Sequence, residues 1–128
     1  MADVNRGKRP LSPHLTIYRR QLTSATSIIN RVTGISLLGG GVLFIAWLLS
    51  AAISAESYAT VNWLMTSWIG DLVMLLSLWA LWYHTLAGIR HLIWDNGYCL
   101  DVTTSDKLGW GIIIGSAVLT LLTIIIVQ

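Results

Sequence analysis

The chain has 128 residues, of which 55% are hydrophobic and 11% charged, and it carries a net charge of +2. A soluble domain of this size needs roughly 25% charged residues to wet its large surface, so the composition excludes a free-standing soluble domain and demands lipid or a partner. So small a positive charge implies no nucleic-acid partner, and the single cysteine, Cys99, can build neither an internal disulfide nor a cysteine-ligated metal or iron–sulfur site.

In chain order, residues 1–23 read as a polar N-terminal arm holding Arg6, Lys8, Arg9, Arg19 and Arg20. The arm lacks the apolar core of a cleaved secretory signal. It is also short and proline-punctuated for a mitochondrial transit peptide, so a bacterial inner-membrane protein is the expectation. Residues 24–128 then supply three apolar stretches, predicting spans over about 29–53, 63–91 and 108–127. Each approaches or exceeds the roughly 20 helical residues that cross a bilayer. The first has a helical lead-in from about Ser24 and a glycine patch, Gly39 to Gly41. The loop expected at Ser54 to Ser67 contains Glu56 and no Lys or Arg. The loop after the second span is bounded by Arg90 and Lys107. Because positive residues stay on the cytoplasmic side, the arm and this second loop are expected inside and the first loop outside. Tyr58, Trp63 and Trp68 are expected as anchors at the outer interface, with Tyr18, Trp94, Tyr98 and Trp110 at the inner one. In the third span, Gly111 and Gly115 form a G-x-x-x-G that would let another helix approach closely.

Ionisable groups in or at the edge of a span are costly, which makes them the candidates for function. Ser27 and Arg31 are four apart and share one helical face. Two readings stand there. Arg31 snorkels to headgroups, or the hydroxyl and guanidinium together address the oxygens of a polar ligand such as a quinone, whose carbonyls need donors. His84 lies six residues inward of Arg90, about 9 Å along the helix axis. An imidazole at that depth must either bond a neighbouring helix or ligate a metal centre such as haem. Gly88, one turn on, leaves room for a flat macrocycle. His91 follows on the same face beside Arg90, where surface cations would suit haem propionates. Asp95 is expected to pair with Arg90 at the surface. Asp71 and Glu56 are read as solvated groups at helix ends.

The stretches RPLSPHLTIY (Arg9 to Tyr18), SIINRVTG (Ser27 to Gly34) and HTLAGIRHLIWD (His84 to Asp95) together resemble the cytochrome b556 family, the larger membrane anchors of bacterial succinate dehydrogenase. The resemblance covers essentially the whole chain. It implies an all-α membrane protein whose three transmembrane helices pack with a second anchor subunit into a helical bundle. It further implies that an iron–sulfur subunit and a flavoprotein subunit carry the iron–sulfur clusters and FAD, and that this chain helps bind haem b and ubiquinone. Residue by residue, Ser27 and Arg31 match the ubiquinone site. His84 matches an axial haem ligand, with the other axial histidine supplied by the second anchor, and His91 and Arg31 are the possible propionate contacts. The family usually has histidine where this chain has Asn30, which can donate through its amide but carries no charge. Asp95 matches an acidic position near the quinone side that would relay protons. A haem-free structural anchor and a small transporter are the competing classes; a transporter would want a membrane-embedded carboxylate, and the spans offer only Asp71 near an edge.

Overall fold

A computed structural model describes residues 20–127, so most of the N-terminal arm, including Arg6, Lys8, Arg9, Tyr18 and Arg19, lies outside the described residues. Four helices follow: α1 (Leu22–Ile53), α2 (Ala55–Met65), α3 (Trp68–Asp95) and α4 (Val102–Val127). Three of them, α1, α3 and α4, are long and apolar enough to cross a membrane. At 32 residues, α1 extends about 48 Å at about 1.5 Å per residue, well beyond a hydrocarbon core of about 30 Å.

The region expected as a polar loop between the first two spans is largely helical. Ser54 breaks α1 in an extended conformation and caps α2, its hydroxyl oxygen accepting from the Ser57 N–H at 3.1 Å. Ser67 repeats the device for α3, accepting from the Gly70 N–H at 3.2 Å. Each serine satisfies a donor that a helix start would otherwise leave unpaired. The second span therefore begins at Trp68, and Trp63 belongs to α2. Gly70 is obligatory at this corner, because a Cβ there would overlap the main-chain oxygens of Met65 and Leu64.

At its other end α3 closes in a Schellman motif. The Gly97 N–H reaches the Trp94 carbonyl at 2.8 Å and the Tyr98 N–H reaches Ile93 at 3.2 Å, with Gly97 at φ +79. Glycine adopts that left-handed conformation without a Cβ penalty. Asp101 then starts α4, its carboxylate accepting from the Thr104 N–H at 2.8 Å and the Thr103 hydroxyl at 2.7 Å. These bonds hold its carboxyl down at about 2, the Thr103 hydroxyl contributing most.

The central helix is α3, which packs along both α1 and α4. Among the described residues, the buried side chains include five apolar ones and seven polar or charged ones, so the interior is not an oily core. That inversion is expected where lipid already solvates apolar groups, and helices gain from small and hydrogen-bonding residues at their contacts. Tyr83, Ala87 and Ile112 form the apolar centre. The buried stripe of α4 is Ser105, Gly109, Ile112, Ser116 and Thr120. The expected G-x-x-x-G contact is only half realised. A Cβ at Gly115 would lie 3.1 Å from Leu86, whereas Gly111 faces open space, and Gly109, outside the motif, makes a second close approach, a Cβ there lying 3.2 Å from Leu22 and 3.6 Å from Arg90. The glycine patch of α1 does not break the helix, and of its three positions only Gly40 lies against a neighbour, Ser77 of α3.

Candidate functional site

Two sets of side chains meet on one stretch of α1. From Ser27 to Gly34 the helix advances about 10 Å, and α3 lies alongside it. His84 points from α3 into this stretch, half-buried. Its Nδ1 lies 3.1 Å from the main-chain oxygen of Asn30 and 3.4 Å from the Thr33 hydroxyl. A carbonyl oxygen can only accept, so Nδ1 carries the proton and donates, and in the neutral ring Nε2 holds the lone pair. Thr33 gives its own hydroxyl proton to the same Asn30 oxygen at 2.9 Å. Gly34 permits this approach, since a Cβ there would sit 3.0 Å from the imidazole Cε1. A nitrogen fixed by one hydrogen bond while the other stays available is the arrangement that orients metal-ligating histidines. The ring bonds the neighbouring helix through Nδ1 and leaves Nε2 without a hydrogen-bond partner among the described residues. Gly88, one turn further, faces open space as expected.

On the adjoining face of α1, Ser27 and Arg31 line an open cleft of about 550 Å³ with Thr23, Ile28 and, from α3, Trp94. Ser27 is half-buried and Arg31 exposed, and neither side chain donates to another group among the described residues. The i, i+4 spacing has therefore brought together a hydroxyl and a guanidinium with their donors unused. Trp94, expected only as an interface anchor, is half-buried and forms the far wall.

Arg90 and Asp95 require correction. Arg90 is 1% exposed, its Nη1 donating to the Thr26 hydroxyl at 3.0 Å and its guanidinium lying 4.6 Å from the Trp94 ring centre. The Tyr83 hydroxyl donates to the Thr26 carbonyl at 3.1 Å beside it. Arg90 is therefore an internal tie between α1, α3 and α4, not a surface cation, and it cannot serve Asp95, which is exposed. Its Nε and Nη2 have no hydrogen-bond partner among the described residues. His91 donates from Nδ1 to the Ala87 carbonyl at 2.7 Å and meets Trp94 edge-on at 5.3 Å. Asn30 contributes its main-chain oxygen to His84, while its side-chain Oδ1 is buried without a partner among the described residues. Sequence reasoning missed Thr26 and Tyr83 altogether. Tyr83 had a weak signal, a phenol deep in an apolar span that must find an acceptor.

Three apolar helices, an interior of small and polar contacts and ionisable groups gathered near one end define a multi-pass membrane subunit. Residues 5–123 match the model of the succinate dehydrogenase/fumarate reductase transmembrane subunit family. The chain is 49% identical over 126 residues to the succinate dehydrogenase cytochrome b556 subunit of Paracoccus denitrificans, covering 98% of this chain and 97% of the relative. It is 36% identical to the subunit of the same name from Rickettsia conorii, covering 90% of each. To the succinate dehydrogenase cytochrome b560 subunit of Reclinomonas americana it is again 36% identical, over 87% of this chain and 80% of the relative. The chain belongs to the succinate dehydrogenase/fumarate reductase transmembrane subunit family, and its role is that of a membrane anchor of succinate dehydrogenase.

Proposed function

We propose that this anchor helps to bind haem b and ubiquinone, so that electrons from an iron–sulfur subunit reduce the quinone at the Ser27–Arg31 cleft. The observation that carries the reading is the cleft itself: two side chains of complementary chemistry, one turn apart, with donors unused in a largely apolar protein. The Ser27 hydroxyl would donate to one quinone oxygen. Arg31 would supply N–H donors and a fixed positive charge that favours the anionic reduced forms as electrons arrive.

The residues around His84 fit a haem. The donor is a neutral imidazole nitrogen, its orientation is fixed through Nδ1, and the helix surface at Gly88 is open. His84 Nε2 would hold the haem iron together with a histidine of a second anchor subunit. Bound there, haem b would supply a one-electron redox centre tuned by its ligands and burial. His91, whose Nδ1 bonds the Ala87 carbonyl, and Arg31 are the residues assigned to the propionates. Asn30 stands where a charged contact would otherwise be available, so propionate binding would rest on neutral donation at this position.

The complex would place its flavoprotein and iron–sulfur subunits, with FAD and the iron–sulfur clusters, on the cytoplasmic face of a bacterial inner membrane. The arm and the α3–α4 connection would share that face. Succinate oxidation would need residues this chain lacks, so activity belongs to the assembled complex. Quinone-dependent turnover and the affinity of a quinone-site inhibitor test the cleft: Ser27→Ala and Arg31→Ala should weaken both in the intact complex, and unchanged values would place the site elsewhere. Reduced-minus-oxidised spectra test His84. Its replacement by alanine should abolish or shift the b-type bands, and unaltered bands would remove the ligand assignment.

A further inference from the structure

We infer that Trp94 is the stacking wall of the quinone cleft and that Arg90 is the positioning residue that holds it there, an inference that rests on the quinone reading above. Among the described residues, Trp94 is the one aromatic side chain lining the cleft, and the one contribution α3 makes to it. A quinone ring is flat and electron-poor, and its hydrogen-bonding oxygens lie at its rim. Ser27 and Arg31 can satisfy those oxygens, but neither can cover the ring face. An indole can, with stacking that prefers offset or tilted contact over several ångströms.

Such a wall works only if it is held still, and Trp94 is held on three sides. The Arg90 guanidinium lies 4.6 Å from its ring centre. His91 packs against it edge-on at 5.3 Å. Its Nε1 donates to the Cys99 carbonyl at 3.2 Å, beyond the Schellman turn that ends α3. Arg90 is the deepest of these restraints. It is 1% exposed and anchored by Nη1 to Thr26 at 3.0 Å on α1, the helix that bears Ser27 and Arg31. One side chain thereby sets the spacing between the donor side of the cleft and its wall. This also accounts for an arginine buried with two nitrogens unpartnered. Lysine would keep the charge but lose the planar group that stacks on indole.

The test uses the purified complex with decylubiquinone as the varied substrate, rates being normalised to assembled complex. Trp94→Leu should raise KM roughly 3- to 10-fold, the worth of one aromatic contact, with a smaller change in kcat, and Trp94→Phe should recover part of that loss. Arg90→Lys should raise KM in the same direction, and Thr26→Val, which releases the guanidinium from α1, should do so to a lesser extent. If Arg90→Lys does not assemble, Thr26→Val decides the positioning claim. Unchanged KM in Trp94→Leu, with Ser27→Ala and Arg31→Ala still raising it, overturns the stacking wall and leaves the cleft standing. A rise in Trp94→Leu with no change in Arg90→Lys or Thr26→Val overturns the role of Arg90 alone. If none of these variants moves KM, the quinone reading falls with the inference.

Discussion

Around Arg90 the three long helices meet through Thr26, Tyr83 and Gly109, all buried, whereas along α1 from Ile35 to Ile53 nearly every large apolar side chain faces outward. The first region joins α1 to its neighbours with specific hydrogen bonds to a phenol and a guanidinium. The second offers Leu38 at 73%, Ile45 at 56% and Leu48 at 58% exposure, with glycines at 39 and 41 that touch nothing. The contrast shows which cost each region must meet. A buried polar group needs an internal partner, and an apolar one in a membrane does not. Arg90 is tolerated at its buried position because the fold has prepared a place for it, whereas Arg31 and Asp95 stay exposed.

The sharpest trial of that contrast is Ile45→Arg. With no Thr26 or Trp94 to receive it, the new guanidinium should cost about 2.5–3.5 kcal/mol at the middle of a span, lowering the inserted fraction in a membrane-insertion assay. Insertion equal to wild type would mean that Arg90 owes nothing to its surroundings. Thr26→Val should come next, costing about 1–3 kcal/mol in chemical unfolding of the complex, because it leaves Arg90 with a third unsatisfied nitrogen. Gly34→Ala should be milder, about 1 kcal/mol, since the His84 ring must retreat by a few tenths of an ångström. Its signature would be a shifted spectrum of any metal centre held by His84, and a change in stability without a spectral shift would separate the two.

The smallest effect is expected at Asp101. Its carboxyl is lowered from 3.8 to about 2 by the Thr103 and Thr104 bonds. A depressed value in the folded state means the contribution is complete above about pH 4 and is lost as pH falls through about 2. Amide exchange at the start of α4 should therefore accelerate only at strongly acidic pH. Asp101→Asn should remove that pH dependence while keeping the cap, and Asp101→Ala should loosen the helix start at every pH.

The three spans were legible because a bilayer demands long apolar runs whatever their neighbours do. Helix α2 was hidden because 11 residues are too few to register as a span, and Glu56, Ser57, Thr60 and Asn62 interrupt its apolar residues. Ser27 and Arg31 could be paired from their spacing alone, since both lie on one helix. Arg90 was misplaced for the complementary reason. Counting positive charges near helix ends registers its position along α3, but its burial comes from Thr26 on α1 and Gly109 on α4. Trp94 was read as an anchor because nothing in its local sequence reveals which helix stands opposite. Contacts within a helix follow from its period, and contacts between helices require knowing the rotation of each.

The oxygen that orients His84 belongs to the backbone of residue 30. No side-chain replacement at that position removes it, so the ring's tautomer is insulated from mutation there. Replacing Asn30 by histidine would alter the charge in the neighbourhood and leave that carbonyl in place for the imidazole across from it. What residue 30 gives His84 is a contribution that every amino acid makes.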